Sequence, residues 1–155
     1  MVLLAVVGLG LAWVYGHVVE YAIHRWLLHP FGFKKDHMFA FHFREHHRNC
    51  RRQNMHDIGS RREALWVTFA VAIHLPLLLL GGWFIAGFVL GLVLSGLSYI
   101  RVHRKAHKNP AWALQHATTH YAHHMGKNQH LNWGVRSDWV DRALGTRATL
   151  DGKKY

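Results

Sequence analysis

The chain has 155 residues, half of them hydrophobic and only 17% charged, which bounds it to one domain (1–155) and makes it too apolar for a disordered segment. Lys and Arg outnumber Asp and Glu by 19 to 8, and 16 residues are histidine. The single cysteine, Cys50, excludes an internal disulfide and the zinc fingers built on paired thiolates, so any metal held here is held mostly by imidazole.

A basic chain suggests nucleic acid until the distribution of charge is read. Residues 2–19 and 65–100 contain no Lys, Arg, Asp or Glu, while 9 basic residues fall within 25–62 and 10 within 101–154. Nucleic-acid binding gives no reason for such segregation, and membrane insertion does. No nucleic-acid partner is expected.

The first apolar run, 2–19, is just long enough for a span, which takes roughly 17–25 residues. Its uncharged start, Met1-Val2-Leu3-Leu4, lacks the positive n-region of a cleaved signal peptide. The run leads into Glu20, His24 and His29. His17 and Glu20 share a helix face with His24, and a carboxylate so close to a membrane is a functional candidate by default. Glu20 is expected to accept the hydrogen bond that fixes a ligand's tautomer. Rings five residues apart share a face less well, but His29 precedes Pro30, which is expected to push it out of the helical region and turn the chain. His42, His46 and His47 follow as H-x-x-x-H-H. Five arginines within 48–62 then read as a solvated or headgroup-facing surface, able also to dock an acidic electron carrier.

Two further spans, 64–80 and 83–100, are separated only by Gly81-Gly82, so they form a helical hairpin with an uncharged tip. Gly87-Phe-Val-Leu-Gly91 fits the small-xxx-small pattern of helices in contact. Basic residues concentrate in cytoplasmic loops, which places 25–63 and 101–155 in the cytosol, with the amino terminus and the hairpin tip on the other side. The third span is expected to continue through His103 and His107 and stop before Pro110. A helix over 111–125 carries His120, His123 and His124 and is closed by Gly126. His116, four residues before His120, is another candidate to orient a ligand. Ser137 is expected to cap a helix over 138–144 that Gly145 ends. Trp26, Trp112, Trp133 and Trp139 suit an apolar pocket wall or an interfacial belt.

The ten clustered histidines sit at helix ends on one side of the spans. Packing that many imidazoles together gains little apolar burial and invites repulsion. Metal coordination resolves both, since neutral imidazole ligates iron, zinc and copper. Four or five nitrogens saturate one ion, so ten imply two. The expected architecture is therefore all-α and integral to the membrane: three transmembrane helices and a cytosolic helical cap around a dimetal site. Carboxylate-bridged di-iron bundles need Glu-x-x-His pairs, which are absent here, and haem would leave most of the histidines unexplained. His42-Phe-Arg-Glu45-His46 matches the inverted-zincin pattern H-x-x-E-H, a short match that ignores the other clusters. His37, His56 and His74 have no partner pattern, and His130 is left open.

The order H-x4-H, H-x3-HH, H-x3-H, H-x2-HH resembles the membrane-bound fatty acid hydroxylase superfamily, which includes fatty acid 2-hydroxylases, sterol desaturases and carotenoid hydroxylases. Asn132-Trp-Gly134-Val-Arg-Ser-Asp-Trp-Val-Asp141-Arg-Ala-Leu-Gly145-Thr146 resembles the signature N-F-G-V-x-S-x-x-W-D-x-x-F-G-T of the same family, and adds Asn132 and Asp141 to Glu20 and His116 as residues that support the centre. The likeness covers about residues 15 to 148. Val140 stands for the signature's tryptophan, Arg147 for its usual aromatic, the second cluster has one residue more than H-x2-HH, and three spans are counted where the family usually has four. The resemblance implies two non-haem irons, with zinc able to occupy the same nitrogens, held by His24, His29, His42, His46, His47, His103, His107, His120, His123 and His124. It also implies O2 as co-substrate, external electrons from a ferredoxin or a cytochrome b5-like donor, and hydroxylation or desaturation of a lipid-like substrate. A membrane zinc-binding protein or zinc hydrolase is the reading from a different class.

Overall fold

The computed structural model describes residues 1–57 and 61–154. In chain order its elements are α1 (Val2–Ile23), a π-helical segment His24–Leu28, α2 (His29–Gly32), a second π-helical segment Phe41–His47, α3 (Arg48–Arg52), α4 (Arg61–Ala72), a 3-10 turn Leu75–Leu80, α5 (Trp83–Lys108), α6 (Pro110–His116), α7 (Thr118–Met125) and α8 (Trp139–Ala143). Contacts divide the chain into two compact units, Met1–Val18 with Ser60–Arg101 and Val19–Gly59 with Val102–Tyr155.

Three helical stretches are long and apolar enough to cross a membrane: Val2–Gly32, Arg62–Leu80 and Trp83–Lys108. In the first unit the apolar side chains face outward. Leu3, Leu65, Phe69, Leu79 and Leu97 are all more than half exposed, a surface suited to acyl chains and not to water. Helices without a hydrophobic drive to associate pack through small residues, and α1 meets α5 in that way. A Cβ on Gly8 would lie 2.2 Å from the Phe84 carbonyl oxygen, one on Gly87 2.0 Å from that of Ala5, and one on Gly91 2.7 Å from that of Leu9. The Gly87–Gly91 pattern is thus a backbone contact.

The second span is not one helix. Pro76 has no N–H and its ring clashes with the carbonyl four residues back, at Ala72; α4 ends at that residue and the chain goes on as the 3-10 turn. His74, at the join, gives Nδ1 to the Ala70 carbonyl (2.8 Å) and meets the Tyr15 hydroxyl at 3.2 Å, a packing role. Gly81 and Gly82 then turn the chain at φ values of +70° and +88°, which only glycine adopts without strain.

In the second unit the buried centre is polar. All ten clustered histidines are buried, flanked by an apolar group of Tyr21, Trp133 and Val140 and another of Met55, Ala106, Ala113 and Ala117. The helix expected over 111–125 is divided. Asn109 caps α6 by accepting from the Trp112 N–H at 3.0 Å, and Ala117, at φ −131° and ψ 48°, separates α6 from α7. Gly126 does close α7; a Cβ there would lie 2.3 Å from the Ala122 carbonyl oxygen. At the last helix Asp138 and not Ser137 is the N-cap, without a side-chain cap, and Ser137 Oγ has no hydrogen-bond partner among the described residues. Asp138 instead pairs with Arg142 (2.9 Å) and Arg147 (2.7 Å), a bond Arg147 makes where the family signature has an aromatic.

Candidate metal centre

Local helix geometry aims the rings. His29 keeps helical dihedrals, φ −72° and ψ −56°, so Pro30 does not turn the chain out of the helix as expected. Proline is tolerated within the first turn of a helix, and the chain widens ahead of it: the His29 N–H bonds the His24 carbonyl, five residues back. An α-helix would separate residues five apart by about 140° around its axis, whereas a π turn nearly stacks them. The two ring centroids end 5.1 Å apart. The second π segment does the same for His42 and His47, whose centroids lie 4.9 Å apart. The residue by which H-x3-HH exceeds H-x2-HH is taken up by this wider turn. His103 and His107 need no such device, since residues four apart share an α-helical face; their Nε2 atoms approach to 3.2 Å.

The ten rings form two gatherings. In the first, one ligand atom from each of His24, His29, His42, His47 and His123 lies within 4.8 Å of all the others. The second consists of two overlapping sets that share His107 and His124: one adds His103 and His120, the other His46 and Cys50. Each HH doublet is split, since neighbours on a helix point about 100° apart. His47 and His123 go to the first group, His46 and His124 to the second. The separation of His42 from His46 also removes the inverted-zincin pair, and Glu45 is exposed.

Four outer nitrogens are held by acceptors, whereas the Nδ1 atoms of His29, His120 and His124 have no hydrogen-bond partner among the described residues. His24 Nδ1 donates to the Trp133 carbonyl at 2.7 Å and His123 Nδ1 to that of Leu131 at 2.8 Å. His107 Nδ1 donates to the Met55 carbonyl at 2.9 Å, and His46 Nδ1 to Asp57 Oδ2 at 2.5 Å. A proton fixed on Nδ1 leaves the Nε2 lone pair for a metal. His47 differs. Gln129 Nε2 donates to its Nδ1 and to the His124 carbonyl, each at 3.0 Å, so coordination through the inner nitrogen requires that this ring lose its proton or that the amide present its oxygen.

Burial comes first, and repulsion from neighbouring rings second, in pushing the pKa values of His42, His47, His120, His123 and His124 well below the ordinary imidazole value. All five are neutral, the form a metal takes. Among the described residues the Nε2 atoms of His42, His47 and His124 are buried with no hydrogen-bond partner, a cost that native proteins avoid unless something else occupies the lone pair. Nε2 atoms meet at 3.0 Å between His29 and His123 and at 3.0 Å between His107 and His120. Neighbouring ligands of one ion, each about 2.0–2.1 Å from it, stand about 3 Å apart. Both groups therefore fit a metal ion.

The residues expected to support the centre fare differently. Among the described residues Glu20 makes no hydrogen bond to a histidine: it accepts from the N–H of Val135 (2.5 Å) and Arg136 (3.2 Å) and from Arg136 Nε (2.6 Å). The break at Ala117 takes His116 off the His120 face, and it lies exposed, 5.3 Å from Trp112 by ring centroids. Asn132 and Asp141 hold the loop whose carbonyls meet His24 and His123. Asn132, left-handed at φ +62°, exchanges two hydrogen bonds with the Ala148 backbone. Asp141 accepts from the Trp133 and Gly134 N–H groups and the Thr146 hydroxyl, each at 2.8 Å; burial raises its pKa, and these bonds oppose the rise. A Cβ on Gly134 would lie 2.1 Å from the Ser137 carbonyl oxygen. Trp133 closes the first group, 4.7 Å from His29 by ring centroids. His130 is exposed beside His29 at 5.8 Å and belongs to neither group, His17 bonds the Trp13 carbonyl at 3.0 Å, His37 stacks on Phe31, and His56 is exposed.

Sequence reasoning missed Asp57, Gln129 and the carbonyls of Met55, Leu131 and Trp133. Asp57 and Gln129 carry no spacing that links them to a ring, and a carbonyl belongs to every residue alike. Consecutive left-handed residues at Asn54 (φ +50°) and Met55 (φ +73°) present the Met55 oxygen, a turn with no glycine to announce it.

Three helical stretches long and apolar enough to cross a membrane, with a buried histidine cluster that could hold metal, mark the class of histidine-rich membrane proteins. The model of the fatty acid hydroxylase family matches residues 9–146, and the chain belongs to that family. Searches of curated proteins and of solved structures give no match.

Proposed function

We propose that this protein is an O2-dependent hydroxylase of a lipid-like substrate, working as one domain at an all-histidine di-iron centre on the cytosolic side of a membrane. The observation that carries this reading is the gathering of ten buried imidazoles as His24, His29, His42, His47 and His123 on one hand and, on the other, as two sets that share His107 and His124, one with His103 and His120 and one with His46 and Cys50; we read the first gathering as the site of one ion and the second as the site of the other. When bound, an iron pair of this kind supplies O2 activation with two external electrons and oxidation of an unactivated C–H bond.

The chain's own residues supply position and environment. Carbonyls of Leu131, Trp133 and Met55 hold protons on the outer nitrogens and keep inner lone pairs inward. Trp133 keeps water from the first group. All-neutral ligands leave the metal charge uncompensated, which favours anionic oxygen groups there; Asp57 supplies a carboxylate bonded to a ligand ring. Electrons come from a separate ferredoxin or cytochrome b5-like donor, and the basic blocks at 25–63 and 101–155 set the orientation in the bilayer.

The test is metal analysis of the purified protein, O2 uptake with reductant, and lipid mass spectrometry of cells with and without the protein. Two irons per chain, reductant-dependent O2 uptake and a lipid heavier by one oxygen are expected. Loss of two hydrogens instead would assign a desaturase on the same centre, and zinc with hydrolysis and no O2 uptake would overturn the oxygenase.

A further inference from the structure

The arginines that follow His47 are absorbed neither by the two ring groups nor by the loop that supports them. Arg44, Arg48, Arg51 and Arg52 border a pocket of about 550 Å³. Its lining is aromatic as well: Phe33 and Phe43 lie 4.0 Å apart by ring centroids, and Phe43 stacks on His47 at 5.2 Å with 20° between the planes. A metal-group ring is therefore part of the pocket surface.

The four guanidiniums divide by what they already hold. Arg44 gives Nε and Nη2 to the Phe33 carbonyl at 3.1 and 3.0 Å, and Arg51 gives Nη2 to the Gly126 carbonyl at 2.5 Å. These two are tied to backbone and shape the rim. Arg48 and Arg52 are exposed, with no hydrogen-bond or ion-pair partner among the described residues, and no carboxylate lines the pocket. Clustered positive charge in a concavity raises the local concentration of anions, and a guanidinium fork matches the paired oxygens of phosphate or carboxylate. The volume falls within the usual range for small-molecule sites, about 300–1,000 Å³.

We propose that this pocket binds the phosphate or carboxylate group of an amphiphilic molecule through Arg48 and Arg52, with its apolar part against Phe33 and Phe43, and so anchors the substrate beside His47. The anchoring role rests on the oxygenase reading above; the anion site does not.

The test is titration calorimetry of the metal-loaded protein in uncharged detergent with octyl phosphate, octanoate, dioctanoyl phosphatidic acid and inorganic phosphate. Octyl phosphate and octanoate should bind, inorganic phosphate at least about ten-fold more weakly for want of a chain. Arg48→Ala/Arg52→Ala should weaken octyl phosphate about ten-fold or more with metal content unchanged, and Arg48→Lys/Arg52→Lys should fall between. Both positions are exposed and unpaired, so neither variant threatens folding. Tighter binding of phosphatidic acid than of octyl phosphate identifies a bilayer headgroup as the source, the reverse order a soluble amphiphile, and either supports the site. Unchanged octyl phosphate binding in the alanine variant, or inorganic phosphate equal to octyl phosphate, overturns it. So does an alanine variant that loses only the binding of an acidic ferredoxin, since the arginines then dock a protein. Octyl phosphate binding without O2 uptake keeps the anion site and removes the oxygenase.

Discussion

His24 with His29 and His103 with His107 both belong to long apolar helices, yet one pair is five residues apart and the other four. The first group meets this with two π turns, at His24–Leu28 and Phe41–His47, and the second uses the ordinary register of α5. Their outer bonds differ too. The first group leans on one loop, through the carbonyls of Leu131 and Trp133; the second leans on the Asn54–Met55 turn and on the carboxylate of Asp57. Spacing therefore does not decide whether two histidines can share an ion: backbone register and the acceptor behind each ring do.

Acid is expected to erase the difference and empty both groups. His42, His47, His120, His123 and His124 are neutral when folded and take up a proton near the ordinary pKa of about 6.5 when released. The stability these rings carry is whole above that pH and falls as pH drops through it, because the unfolded chain binds more protons. Metal content and thermal midpoint should decline together below about pH 6.5, with no step in which one ion leaves alone. Single ligand losses should separate the groups. His29→Ala should cost the first ion and His107→Ala the second, so metal analysis should fall from two ions to one in each case, with O2 uptake abolished in both.

Changes behind the rings should be milder. Asp57→Asn should weaken chiefly the second ion, and Asp141→Asn, acting through the 131–134 loop, chiefly the first, each by roughly 10- to 100-fold in metal affinity. If Asp57→Asn weakens both alike, the groups are not separately supported. The smallest effect is expected at Gly87→Ala, where the added methyl meets the Ala5 carbonyl oxygen. It should lower stability by about 1–3 kcal/mol and leave metal content unchanged, read by thermal unfolding against metal analysis.

Much of this was legible in the chain. Charge-free runs located the three apolar helices, Gly81-Gly82 the turn between two of them, and clustered histidines all ten rings. Three parts were not. A π turn is a hydrogen-bonding choice that no residue type dictates, so the Pro30 argument had the right destination for His29 and the wrong route. The break at Ala117 falls in a sequence with no breaker, and with it went the expected part for His116. Glu20 shares a face with His24, but spacing could not tell that loop N–H groups would reach it.

On the two-ion reading, the split doublets would join the fate of both ions. His46 and His47 are linked by a single peptide bond, as are His123 and His124, and each bond has one ring on either side of the divide. An ion entering the first group immobilises π-helical and α7 backbone from which the second group also hangs, so the ordering entropy is already spent when the next arrives. In the intact chain occupancy should therefore rise as a pair at limiting iron, while a variant that has lost one group loads the other more weakly and needs excess metal to hold its single ion.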